Sequence, residues 1–377
     1  MVAVMQKHYD LFLACAPGLE PLLHDEVLAL RPVSAVAEPG GVAVRGGLDL
    51  LHRVHLELGL ALRAQLTVDR SAATRLDHLA THAATLPWHA WLPVGANVTV
   101  RAHARGSRLY HTGAIAERVA AGIAVRLGPP RAGGSEQTVY ARIVDDHCAL
   151  SIDTGGEPLH RRGYRQATAK APLREDLARA ALIASGWDRK TPLVDPMCGS
   201  GTIAIEGAWL ARGIPPGHLR RFAFMDGPLF DPERWRLARE RALDKALPAA
   251  PPILASDRDA GAIAAANANA ARAGVTADLD CACAALGHAP GLRRPPSPPG
   301  AVVTNPPWGR RLGGKQPLRP LYQSLGTRLK ELPGRWRVGL VLADPDFARD
   351  VVPGLKSALM TDAGGTKIYL FAGTTRR

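Results

Sequence analysis

At 377 residues, 46% apolar and 21% charged, the chain exceeds one ordinary domain and has a globular composition, so two or three domains are expected. Its apolar runs are broken by Arg, Pro or Gly well short of the roughly 20 residues a membrane span needs, and "MVAVMQKHYDLFLACAPGLE" lacks the ordered parts of a signal peptide. A net charge of +13 and a pI near 10.0 admit a polyanionic partner, although Arg written for Lys is also what a GC-rich genome produces.

Five scattered cysteines (Cys15, Cys148, Cys198, Cys281, Cys283) form no C-x-x-C pair, and the thirteen histidines show no ligand spacing with a carboxylate. Neither a disulfide framework nor a metal site is expected, and a reducing cytoplasm is the default.

From 1 to 65, short strands (Tyr9 to Cys15, Gly41 to Val44) alternate with the helical "PGLEPLLHDEVLAL" and "LDLLHRVHLELGLALR", a small α+β unit. From 66 to 155, "NVTVRAHARGSRLYHTGAIAERVAAGIAVRLG" reads as strand, basic turn and amphipathic helix, with Arg101, Arg105, Arg108 and His111 at the junction, the three arginines being candidates for RNA contact. "TVYARIVDDHCALSIDT" reads as two strands joined at Asp145-Asp146. A basic linker at 156–171 carries Arg161, Arg162, Arg165 and Lys170, all candidates for RNA contact, and "RRPPSPPG" at 293 to 300 reads as a loop. From 172 to 377 the strands "TPLVDP", "PILASD", "AVVTNPP", "WRVGLVLAD" and "KIYLFAG" alternate with helices. This predicts an α/β domain with a doubly wound, mainly parallel, Rossmann-like sheet.

Three stretches in that domain carry chemistry. The Gly loop "DPMCGSGT" (Asp195 to Thr202) lets backbone approach a ligand at a helix N-terminus. It lacks the lysine of a P-loop and the third glycine of a dinucleotide fold, and a plain tight turn also fits it. Asp257 ends the next strand, where a carboxylate either accepts from ribose hydroxyls or caps a helix. "NPPW" (Asn305 to Trp308) ends a further strand, at the carboxyl edge where open α/β sheets bind ligands. Two prolines fix that corner in an extended path, and Arg310, Arg311 and Lys315 follow it as candidates to hold the phosphates of RNA.

In order, these motifs resemble the class I methyltransferases that use S-adenosyl-L-methionine (SAM) and modify exocyclic amino groups: "NPPW" is similar to their [DNS]-P-P-[YFW] motif, and "APLREDLARAAL", "LVDPMCGSGTIAIEGA" and "ASDRD" to their cofactor motifs. "ACAPGLEPLLHDEV" resembles the ferredoxin-like unit, and "SRLYHTGAIAERVAAGI" the THUMP domain, of RNA enzymes built this way. "GIPPGHLRRFAFMDGPLFDPERW" resembles an insert of bacterial 23S rRNA guanine-N2 methyltransferases.

The resemblance implies that Asp195, Pro196, Cys198, Gly199, Ser200, Gly201, Thr202, Asp257, Arg258 and Asn305 line the cofactor, which leaves as S-adenosylhomocysteine (SAH). It implies that Asn305, Pro306, Pro307 and Trp308 hold the base. No metal is implied. The chain departs from the family where an Asp contacts the adenine amine: Cys283 takes the aligned position, and Asp280 is the nearest acidic candidate. The expected substrate is a guanosine in 23S rRNA, with tRNA, then adenine N6 in DNA, then a non-catalytic RNA-binding role as alternatives. A monomer away from membranes is expected.

Overall fold

The computed structural model describes residues 8–166, 173–308 and 318–375, divided into two compact units. One gathers the described residues up to Cys15 with Leu23–Leu159 and Arg220–Glu240. The other holds Ala16–Leu22, the described residues between His160 and Leu219, and those from Arg241 onward.

In the first unit, β1 (Tyr9–Ala14), β2 (Ser34–Glu38), β3 (Gly41–Gly46), β4 (Arg63–Ala72), β5 (Asn97–Arg105), β6 (Glu136–Val144) and β7 (His147–Asp153) form one sheet. Its order is β2-β3-β1-β4-β7-β6-β5, so the 1–65 and 66–155 regions share it. Leu11, Leu13, Val42, Val44, Leu66, Val139, Ala141 and Ile143 alternate with exposed or half-buried residues. That period of two buries one face against helices Leu48–Glu57 and Thr112–Leu127. Asp145 and Asp146 do join β6 and β7, with φ of 49° and 61°, the double left-handed turn that suits a two-residue hairpin.

Segment 220–240 lies within the stretch expected as the 172–377 domain, yet it folds with the first unit. Phe222, Phe224, Phe230 and Trp235 close around His52 and His55, with ring centroids 4.8 to 6.4 Å apart. Burial lowers His55 to about 3, so it packs as a neutral ring bonded to the Leu51 carbonyl.

The second unit is an α/β sheet of β8 (Leu193–Asp195), β9 (Ile253–Asp257), β10 (Leu279–Cys283), β11 (Ala301–Thr304), β12 (Arg337–Leu342), β13 (Lys356–Asp362) and β14 (Lys367–Thr374). The order is β10-β9-β8-β11-β12-β14-β13. The first five in that order run parallel, and β14 is antiparallel to both β12 and β13. Central strands such as Val302-Val303 are apolar without alternation because both faces are covered. Helix Thr202–Arg212 meets Leu193, and helix Arg319–Lys330 lies in the core cluster that holds Val194 and Val302. The doubly wound expectation holds, with β10 and β13 as the two strands the apolar runs did not reveal.

Candidate active site

Because β8, β9, β10 and β11 are parallel, their last residues share one edge. Asp195 ends β8, Asp257 and Cys283 stand opposite each other at the ends of β9 and β10, and Asn305 follows β11. Asp195 is 1% exposed; its Oδ1 accepts from the Thr304 hydroxyl at 2.7 Å and from Met197 N–H at 3.3 Å. Burial drives its pKa up to about 7, the two hydrogen bonds oppose the rise, and the Asp257 charge adds to it.

The loop after β8 turns sharply, with Gly199 at φ +53° and Gly201 at φ +82°. A Cβ on Gly201 would sit 3.0 Å from the Ala266 methyl, whereas the space beside Gly199 is open. Gly199 N–H donates to Asp257 Oδ2 (2.9 Å) and Asp259 N–H to Asp257 Oδ1 (3.0 Å), so one carboxylate ties the loop to β9 and keeps a lone pair free on each oxygen. Ser200 Oγ is buried with no hydrogen-bond partner among the described residues. Pro196, Cys198, Ser200 and Thr202 are buried. Cys198 lies in a dry site beside two carboxylates, which pushes its thiol far up and leaves it unreactive.

At the substrate corner, Asn305 Oδ1 is likewise buried without a partner among the described residues. The turn around it is pinned from outside. Tyr322 Oη donates to the Pro307 carbonyl at 3.1 Å while its ring stacks on Phe347 at 4.4 Å and 5°. Trp308 Nε1 donates to the Val341 carbonyl at 3.2 Å, which leaves the indole half-buried.

Residues 162–351 match the family described as UPF0020: RMKL-like, methyltransferase domain, and residues 10–64 match the RlmL ferredoxin-like domain. The chain belongs to the RMKL-like methyltransferase family. It is 36% identical over 385 residues to ribosomal RNA large subunit methyltransferase K/L of Methylococcus capsulatus, covering 96% of this chain and 51% of that protein. The chain therefore spans about half the length of the curated relatives it matches. Among solved structures it resembles SMU.472 complexed with SAH, at 26% identity and a TM-score of 0.87 over 99% of this chain and 100% of that one. It also resembles a Listeria monocytogenes protein titled as a predicted N6-adenine-specific DNA methylase, at 30% identity and a TM-score of 0.84 over 97% of this chain and 96% of that one.

This RMKL-like site gathers most of the expected residues and leaves others apart. Arg258 is exposed beside Asp257, and its carbonyl lies 3.8 Å from Cys283 Sγ. Asp280 is not at the carboxyl edge: it pairs with Leu254 and lines a separate cavity of about 340 Å³ with Pro252, Leu279 and Pro296. Arg162 and Arg165, expected on RNA, are instead internal. Arg162 is 1% exposed and ion-pairs with Glu206 at 3.6 Å, and Arg165 reaches Glu175 at 2.9 Å and the Leu173 carbonyl at 2.7 Å. Basic residues in a linker suggest an outside partner, but these two arginines instead neutralise the buried Glu206 and Glu175. Arg161 is exposed, Arg108 meets Asp146 at 3.4 Å, and Arg101 and Arg105 face solvent. Lys170, Arg310, Arg311 and Lys315 lie outside the described residues. Among the described residues no cluster of metal-ligating side chains occurs, and no helix is long and apolar enough to cross a membrane.

Three residues of the site went unread in the sequence. Thr304 links the β8 carboxylate to β11, Tyr322 braces the proline turn, and fully buried Asn269 donates to the Ser200 carbonyl at 3.1 Å. Asn269, one of two asparagines in the Ala-rich run "AIAAANANAARAG", is the one visible signal.

Proposed function

We propose that the chain is a SAM-dependent methyltransferase acting on the exocyclic N2 of a guanosine in 23S rRNA, in the cytoplasm. One observation carries the reading: a buried, unpartnered amide oxygen, Asn305 Oδ1, stands at the carboxyl edge beside the Asp195–Thr304 pair. An acceptor stripped of water without a partner costs about 1–3 kcal/mol, and an incoming N–H donor relieves that cost.

The donor set fits the cofactor. Asp195 suits an ammonium, the spare lone pairs of Asp257 suit ribose hydroxyls, the space at Gly199 admits a chain, and Ser200 Oγ awaits a donor or acceptor. Bound there, SAM would supply an electrophilic methyl whose bond to sulfur breaks as the bond to nitrogen forms, SAH leaving and the methylated amine giving up one proton to water. A base amine is a poor nucleophile because its lone pair is spread into the ring. Asn305 Oδ1 and the Pro306 carbonyl, both accepting from the NH₂, turn that lone pair out of the ring plane. Tyr322 and the two prolines hold the corner before the base arrives, so little reorganisation remains. Trp308, anchored through its N–H, offers a ring face to an extruded base, worth about 1–3 kcal/mol. Thiol catalysis is not needed.

The rRNA substrate rests on the name of the K/L relatives and on the ferredoxin-like match; a THUMP domain over 66–155 belongs to the same reading. A second reading, adenine N6 in DNA, is favoured by the name of the Listeria relative. Tritiated methyl transfer into 23S rRNA, tRNA and unmethylated duplex DNA, with the labelled nucleoside identified by chromatography, separates them. N2-methylguanosine from 23S rRNA supports the proposal, the same nucleoside from tRNA moves the substrate, and N6-methyladenine overturns the base.

A further inference from the structure

The first unit's sheet buries one face under helices; the other face is exposed around Arg70, Arg142 and His103, and it is not evenly charged. Across β4, β7, β6 and β5 one row reads Arg70–Ala149–Arg142–His103, with Arg101 and Arg105 two residues to either side of His103 on the edge strand. Arg70, Arg101, Arg105 and Arg142 are all exposed. Strand spacing and rise set Arg70 and Arg142 about 10 Å apart and Arg101 and Arg105 about 13 Å apart.

None of these four side chains has an ion-pair or hydrogen-bond partner among the described residues. Some surface arginines elsewhere are matched, Arg53 by Glu57, Arg75 by Asp77, and Arg236 by both Glu233 and Glu240, while others, such as Arg118 and Arg349, stand singly and exposed. Even on the far half of the same face, Arg45 meets Asp10 at 3.8 Å. Genome composition accounts for abundant and unpaired arginine, but not for gathering four of them on one half of one sheet face. Four like charges on a small flat area repel one another until a polyanion lies across them. Beyond the end of β5, Tyr110 is 69% exposed against His111 and adds a ring on which a base can stack.

We infer that this open face docks RNA, with Arg70, Arg142, Arg101 and Arg105 each taking a backbone phosphate. The inference rests on the RNA reading above and adds Arg70 and Arg142, which no motif singles out. The docking is sequence-independent: guanidinium-to-phosphate contacts fix position and leave base choice to the Asn305 corner.

The test uses the whole chain and a fluorescent, mixed-sequence single-stranded RNA of about 20 nucleotides, followed by anisotropy between 50 and 200 mM salt. Each single-strand phosphate contact contributes about 0.7 to the slope of log K against log salt, so Arg70→Gln/Arg142→Gln is expected to shallow it by about 1.4. Arg101→Gln/Arg105→Gln, a second pair at exposed positions, is expected to do the same. Arg236→Gln is the control, since it removes a positive charge already matched by two carboxylates, and it should leave the slope unchanged. SAH affinity, read by calorimetry, reports that each variant is folded. Unchanged slopes in both double variants overturn the docking face while leaving the RNA reading intact. Equal shallowing per charge in Arg236→Gln overturns it too, because total charge is then what counts. A wild-type chain without affinity for RNA overturns both.

Discussion

Replacing Asn305 by Ala should move stability and activity in opposite directions. In the free protein its Oδ1 is buried and unpartnered among the described residues, at a cost of about 1–3 kcal/mol. Cutting the side chain to a methyl removes that penalty and forfeits some packing of a half-buried group, for a net gain of up to about 1 kcal/mol. The same cut removes the acceptor that turns the base amine toward the methyl, and one preorganised polar group of this kind is worth about 10²–10³ in kcat. Asn305→Ala is therefore expected to melt at the wild-type temperature or slightly above it, to bind SAH as the wild type does, and to lose about a hundredfold or more in kcat. Calorimetric melting, SAH titration and single-turnover methyl transfer on rRNA measure the three quantities separately. Near-normal turnover would refute the base-positioning argument. A loss of activity that simply tracks a lower melting temperature would show Asn305 to be a packing residue.

Tyr322→Phe keeps the stack on Phe347 and deletes only the donor to the Pro307 carbonyl, so stability should fall by about 0.5–1.5 kcal/mol. If the brace positions the corner, kcat drops on the order of tenfold with SAH affinity unchanged, and a fall in affinity alone would contradict it. Asp195 is raised to about 7 by burial, so between about pH 4 and 7 the folded state holds a proton the unfolded state has lost. Stability should therefore decrease as pH rises through that window, and SAH affinity should weaken about tenfold per unit below pH 7, because the ammonium needs the ionised carboxylate. Asp195→Asn should flatten both profiles in pH-dependent melting and titration. Arg162→Ala removes one of the two guanidiniums beside the fully buried Glu206, leaving Arg179 at 3.7 Å and the Tyr164 hydroxyl at 3.3 Å, and should cost about 1–3 kcal/mol in urea unfolding, with no change in the salt dependence of RNA binding for the fraction that folds.

What was legible in the sequence follows from what local chemistry controls. Parallel strands covered on both faces must be apolar throughout, so "AVVT" and "VGLVL" announced β11 and β12. The motif residues at their ends fell on one edge because parallel strands leave a sheet on the same side. β10 stayed hidden since "LDCAC" is an edge strand with a charge inside it. Asp280 is the nearest acidic residue in sequence, and register decides against it: three residues along a strand is about 10 Å, enough to move a carboxylate off the ligand edge.

The arginines show where sequence reading stops. Arg162 and Arg142 are the same residue type in equally basic surroundings, yet one is sealed against Glu206 and the other stands open on a sheet. The difference lies in partners distant in sequence: Glu206 sits on the helix after the Gly loop, 44 residues beyond Arg162, while no carboxylate of the described chain reaches Arg142. Burying a guanidinium without its carboxylate costs several kcal/mol, so an arginine held inside implies a buried acid nearby. An arginine left unpaired outside carries no such cost, and it is the gathering of several on one sheet face, not the lack of a partner, that calls for an explanation in solution. Charge composition alone merges these two cases. Sorted by partner, the internal arginines account for stability beside the cofactor loop, and the open ones carry the case for RNA.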